Sequence, residues 1–389
     1  MRFLHTGDWH VGKAIRGRSR MDEFERALEQ VVEIAVDQQV DAVLHAGDLY
    51  EHRTAAPDAD ALVFEALLRL HGHGIPVVAI PGNHDSSARL EAFAGLLKAV
   101  GVDVAAKVLP PAEGGIVEIG SRDGSETLLV ACVPFVPERR FANAVDLFDS
   151  TEAWFQNYAD GMGNLMDAMA EGFMTDAVNV VLGHLYASGA KLGGGEREAT
   201  VGMDYAVPAG RLPSNASYVA LGHIHRPQKV PGARAQARYA GSLIQLDFGE
   251  TNQDKSVVVV EAHPGKPAKA TEVAVTAGRR LVDVEGTFDQ VLIRGAGLGD
   301  AYLRVFVDTD GPVPGIADQI RDELPNVVDV HLRYERDEAE RPETPLSSLR
   351  PREQFLSYYR SFHGAEPDPK LLVAFDEVAA EQEGEEALV

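Results

Sequence analysis

The strongest constraint on this chain is a repeated local design, in which five short apolar runs each stop in a knot of polar residues. RFLHTGDWH, VDAVLHAGDLYEH, IPVVAIPGNHD, VNVVLGHLYA and YVALGHIHRP follow one another in that order. Their apolar parts are short, rich in Val, Ile and Leu, and bounded by Gly, Pro or Asp, which predicts strands. Between them, MDEFERALEQVVEIAVDQQ (21–39) and DADALVFEALLRLHGHG (58–74) carry apolar residues at helical spacing. Strands alternating with helices predict a layered α/β domain, and such folds place their sites at strand ends. The polar knots sit at those ends.

TLLVACVPF resembles the five runs but ends without polar side chains, so its expected role is structural. GGGE at 193–196 lacks the lysine and hydroxyl residue that close a phosphate loop, and no such motif occurs elsewhere, so ATP hydrolysis is not expected. RYAGSLIQLDFGE and KSVVVVEA read as strands joined by a glycine-marked bend. From about residue 278 the pattern changes: three strand-like runs flank the helical PGIADQIRDEL, a small α+β unit. ERDEAERPETPLSS reads as a linker, and PREQFLSYYRSFHG and DPKLLVAFDEVAAEQ as two amphipathic helices whose apolar faces need a surface, this chain's or a partner's.

Charge limits the partners. The formal net charge of -24 argues against gripping a polyanion by bulk electrostatics. The local exception is a loop carrying Lys13, Arg16, Arg18 and Arg20, a candidate for phosphate contact or simply a solvated segment. The first residues lack a basic stretch followed by an apolar one, and no run approaches a membrane span, so a soluble cytoplasmic protein is expected. The single cysteine, Cys132, lies in an apolar run and fits a reducing compartment.

The polar knots supply Asp8 and His10; Asp48; Asn83, His84 and Asp85; His184; and His223 and His225. Taken singly, each has a plain explanation: PGNHD suits a turn, and a buried histidine often makes only one hydrogen bond. Taken together they form a set of carboxylate, amide and imidazole donors suited to borderline divalent ions. In Asp-x-His and His-x-His on extended backbone, both side chains point to one face. The ligands exceed what one tetrahedral ion takes, and suit two ions about 3.5–4 Å apart sharing a carboxylate, an arrangement that activates water against a phosphoryl group. Manganese accepts such a mixed set better than magnesium does.

In this order, Asp8-x-His10, Gly47-Asp48, Gly82-Asn83-His84-Asp85, Gly183-His184 and Gly222-His223-x-His225 resemble the calcineurin-like metallophosphoesterases over about the first 250 residues. MRFLHTGDWHVGK, HAGDLYEH and GHIHRPQ, with the later domain and terminal helices, are similar to a branch of DNA nuclease subunits. The resemblance implies a four-layer αββα sandwich over 1–277, a capping domain at 278–337, a linker at 338–350, and partner-binding helices with an acidic tail at 351–389. It implies one ion on Asp8, His10 and His225 and a second on Asn83, His184 and His223, with Asp48 bridging. His84 would stabilise developing charge and protonate the leaving oxygen, Asp85 would orient His84, and His52 would face nucleic acid. It further implies two manganese ions, 3′→5′ digestion of duplex ends and cleavage of hairpins in DNA repair, recombination and replication. A homodimer through the early helices and a coiled-coil ATPase partner complete the expectation. Two alternatives stay open: a phosphodiesterase of small molecules or phosphoproteins, and a subunit chiefly for DNA-end binding and ATPase docking.

Overall fold

The strand at Arg2–Thr6 (β1) shows how this sequence makes layers. Phe3 packs into an interior between two sheets, Leu4 packs outward against helices, and His5 returns to the inter-sheet side, the period of two that extended backbone imposes. The same alternation holds for Val43 and Leu44 in β2 (Ala42–His45). The fold is known from a computed structural model, which describes residues 1–137, 158–196, 205–334, 350–363 and 366–376.

The first sheet has the order β12-β11-β1-β2-β3-β4, with β3 Val77–Ala79, β4 Val102–Val104, β11 Ser256–Glu261 and β12 Lys269–Ala274. β1 to β4 pair in parallel and β11 joins β1 antiparallel. The second sheet has the order β5-β6-β7-β8-β10-β9, with β5 Ile116–Gly120, β6 Thr127–Val133, β7 Val178–His184, β8 Tyr218–Gly222, β9 Gln228–Lys229 and β10 Ala237–Tyr239. Phe3, Leu44, Val78 and Val258 from one sheet meet Leu128, Val130, Val180 and Leu182 from the other in an apolar core. Helices α1 (Met21–Asp37) and α2 (Pro57–Gly72) cover the outer face of the first sheet through Phe24, Leu28, Val63 and Leu67. Helix α4 (Tyr158–Ala170) covers the second through Met162, Leu165 and Met169, after α3 (Ser87–Lys98) has completed the first side. This is the four-layer αββα sandwich.

RYAGSLIQLDFGE differs from its expected strand. Its extended part ends at Tyr239, because Gly241 adopts φ +78° and Ser242 donates its amide to the His225 carbonyl at 3.1 Å, turning the chain beneath the polar knot. TLLVACVPF is β6, packed on both faces.

A second compact unit takes residues 284–297 and 305 onward. It carries helices α5 (Phe288–Ala296) and α6 (Ile316–Glu323), and belongs with a three-stranded sheet of order β13-β14-β15 (Leu281–Gly286, Tyr302–Asp308, Val327–Arg333). Pro351–His363 is helical (α7), as are residues 369–376. The expected linker and acidic tail lie almost wholly outside the described residues.

Candidate metal centre

The strands deliver the knots to one rim. The loop after β1 carries Asp8 and His10, that after β2 carries Asp48, that after β3 carries Asn83, His84 and Asp85; β7 ends in His184, and β8 is followed by His223 and His225. All nine are buried. Four reach the site through left-handed backbone: Asp8 (φ 49°), His10 (φ 48°), Asp48 (φ 56°) and His223 (φ 99°). Among the described residues only Arg16 and Gln39 are other non-glycine examples, so the strain is concentrated where it aims side chains. Two glycines make room: a Cβ on Gly82 would lie 2.2 Å from Asp48 Oδ1, and one on Gly47 would lie 2.4 Å from His184 Nδ1.

Asp48 is the centre. Its Oδ2 lies 3.5 Å from His10 Nε2 and 3.4 Å from His184 Nε2, and it belongs to both candidate cation groups, His10–Asp48–His84 and Asp48–His184–His223. Asn83 Oδ1 lies 3.0 Å from His184 Nε2 and 2.8 Å from His223 Nδ1. Asp8 accepts the His223 amide at 2.8 Å, and the His225 ring lies 4.8 Å from that of His10.

The protons show what the site wants. His184 donates Nδ1–H to the Ala46 carbonyl at 2.7 Å, and its Nε2 faces the oxygens of Asn83 and Asp48. Burial presses its pKa down, yet the Asp48 carboxylate carries it up to about 9. Burial opposes the charge on Asp48 too, but His184, His10 and His84 hold it well below the usual carboxylate range. His10 donates Nδ1–H to Glu51 at 2.9 Å and keeps a buried Nε2 with no hydrogen-bond partner among the described residues. Converging lone pairs, an orphaned imidazole nitrogen and a centre that gathers protons fit divalent cations.

Three expectations change. Asp85 does not orient His84: its carboxylate takes the backbone amides of Leu49 (3.2 Å), Tyr50 (3.1 Å) and Gly82 (2.9 Å), tying the Asp48 loop to the Asn83 loop. The His84 ring is held instead by the Glu51 carbonyl, 2.8 Å from Nδ1. Burial raises the Asp85 pKa to about 6, with Asp48 adding to it. Arg20 is not available to a phosphate, because it is buried, paired with Glu23 at 2.7 Å and bonded to the Gln245 carbonyl. Lys13 is committed to Glu51 at 2.8 Å, while Arg16, Arg18 and His52 are exposed.

Glu51 and Glu250 were not visible as participants in sequence. Glu51 follows the Asp48 turn by three residues, a faint signal; Glu250, 25 residues past His225, gave none, yet sits 3.0 Å from its Nδ1.

Comparison with known proteins agrees with this geometry. The family model of the calcineurin-like phosphoesterases matches residues 1–227. SbcD of the SbcCD nuclease from Bacillus subtilis (strain 168) is 32% identical over the whole of both chains. SbcD of Rhodobacter capsulatus is 31% identical over 68% of this chain and 67% of its own, and that of Escherichia coli K12 is 30% identical over 74% and 71%. The chain belongs to the SbcD family of calcineurin-like phosphoesterases. It is therefore a metal-dependent hydrolase of phosphoesters, and the rim of buried carboxylates and imidazoles offers groups suited to holding a cation.

Proposed function

We propose that this chain is the nuclease subunit of an SbcCD-type complex, hydrolysing DNA phosphodiesters 3′→5′ from duplex ends and endonucleolytically at hairpins, in DNA repair, recombination and replication. The observation that carries the reading is Asp48, a single buried carboxylate common to both cation groups. Asp8, His10 and His225 would hold one ion and Asn83, His184 and His223 the other. Two ions held there would supply an activated water and neutralise the oxygens of an in-line displacement. The carboxylate, amide and imidazole donors favour manganese over magnesium.

His84 handles the leaving oxygen. Burial lowers its pKa to about 4, so the ring is neutral before substrate arrives, with Nδ1–H fixed on the Glu51 carbonyl and Nε2 unprotonated. The negative charge of an incoming phosphodiester raises its proton affinity, and the proton taken up passes to the departing sugar oxygen. Exposed Arg16, Arg18 and His52 supply local contacts for DNA; an SbcC-type coiled-coil ATPase, docked on the helices after residue 350, offsets the net charge of -24. The unit built around residues 278–337 acts as the cap over DNA. Exposed Leu68 and Leu96 on α2 and α3 support a homodimer through those helices. No described helix is long and apolar enough to cross a membrane, and the lone buried Cys132 suits a reducing cytoplasm.

The test is degradation of an end-labelled linear duplex with Mn2+, with Mg2+ and with EDTA, each with and without the ATPase. Manganese-dependent release of nucleotides is expected. Intact duplex under every metal, with the ATPase present, ends the reading.

A further inference from the structure

Among the described residues, carboxylates stand behind two ligands of one ion position, and a neutral carbonyl stands behind one ligand of the other. His10 donates Nδ1–H to Glu51 Oε2 at 2.9 Å, and Glu51 Oε1 takes Lys13 Nζ at 2.8 Å. On the other flank His225 donates Nδ1–H to Glu250 Oε1 at 3.0 Å, and Glu250 Oε2 takes Lys255 Nζ at 2.7 Å and the Leu246 amide at 3.0 Å. Each imidazole therefore ends the same array, lysine to glutamate to histidine, although the four partners come from unrelated stretches of chain. Behind His184 stands a neutral group, the Ala46 carbonyl at 2.7 Å.

A carboxylate on the far nitrogen makes an imidazole a stronger electron donor and fixes its ring plane more firmly than a peptide carbonyl does. The lysines complete the effect. Each glutamate spends one carboxylate oxygen on its histidine and the other on a lysine, so the carboxylate is pinned at the ring from both sides.

Resting on the two-ion reading of this rim, we propose that Glu51 and Glu250 are positioning residues that make the ion on Asp8, His10 and His225 the tighter of the pair, so that the ion on Asn83, His184 and His223 enters second and exchanges more readily. The site then fills in a fixed order. Neither glutamate is asked to touch substrate.

The experiment is a Mn2+ titration of the full chain by calorimetry and electron paramagnetic resonance, on the natural sequence, Glu51→Gln and Glu250→Gln. Two ions should bind the natural protein in resolved steps. Each variant should weaken the tighter step about 10–100-fold, the usual effect of removing such a partner, and leave the weaker step nearly unchanged. Crystals soaked at limiting Mn2+ should show anomalous density beside His10 and His225 in the natural protein and beside Asn83 and His184 in the variants. Equal weakening of both steps, no change in either, or first filling beside His184 overturns the proposal while leaving the two-ion site intact. A natural protein that takes up no ion pair instead defeats the functional reading itself. Should Glu250→Gln leave Lys255 buried and the fold lost by circular dichroism, Glu51→Gln decides the matter, because its lysine partner, Lys13, is only half-buried.

Discussion

The strands of this sandwich are two materials along their length. In mid-strand, Phe3, Leu44, Val180 and Leu182 are fully buried hydrocarbon on ordinary extended backbone. Within a few residues, the continuations of those strands present buried charge, left-handed non-glycine backbone and an imidazole nitrogen without a hydrogen-bond partner among the described residues. Hydrocarbon burial stabilises at roughly 25 cal/mol per Å², whereas each strained residue or unmet polar group costs on the order of 1–3 kcal/mol. The difference teaches a division of labour: the core holds a rim that could not hold itself, and the rim spends that support on geometry.

That contrast predicts that rim substitutions lose chemistry and core substitutions lose stability. The largest effect should come from His84→Ala, lowering kcat by about 10²–10⁴-fold with both ions still bound, if the ring acts on the leaving group as proposed and is not a ligand. Rate assays beside a metal titration check it, and loss of an ion would move His84 into the ligand set. Gly82→Ala comes next. Its Cβ would lie 2.2 Å from Asp48 Oδ1 and 2.6 Å from the Asp48 nitrogen, so the Asp48 carboxylate must shift. A displacement near 1 Å should cost roughly 10²-fold in activity. Wild-type turnover by this variant would show that the rim is softer than the contacts imply.

Leu128→Ala tests the other material. Leu128 is fully buried between the sheets on β6, a strand that ends without a ligand. Truncation should remove about 2–5 kcal/mol of unfolding free energy while kcat stays near normal. Urea denaturation paired with the nuclease assay separates the two, and a parallel fall in activity would erase the proposed division.

How far the sequence revealed this follows the same boundary. The ordered knots after apolar runs were legible because period and punctuation are local, and they located the layers and Asp8, Asp48 and His223 alike. What lay behind the ligands was not. Asp85 adjoins His84 in sequence but points at three amides, because adjacent residues on a turn diverge. Arg20 looked like the last of a basic run, and its burial rests on Glu23 beside it and on the distant Gln245 carbonyl, which no local pattern announces. Glu250 joins His225 through a bend that Gly241 creates, a long-range closure with no periodic signature.

The smallest predicted effect blurs the boundary from the core side. His5 lies in mid-strand, yet donates Nε2–H to the Leu221 carbonyl at 3.2 Å and accepts from the Tyr218 hydroxyl at 3.1 Å, since a carbonyl can only accept. Burial lowers its pKa to about 3, with Arg238 adding to the fall and the Leu221 bond opposing it. His45 is likewise lowered to about 3, chiefly by burial. A folded pKa below the unfolded value near 6.5 means that acid favours the unfolded chain. Each group's contribution is whole above about pH 6.5 and falls by about 1.4 kcal/mol per pH unit below it, until the folded value is reached. Between pH 6 and 5, His5→Asn should therefore flatten the loss of stability by close to one group's share, measured from urea midpoints in EDTA. An unchanged slope would mean that the interior already admits the proton, and that the apolar middle of these strands is wetter than its packing suggests.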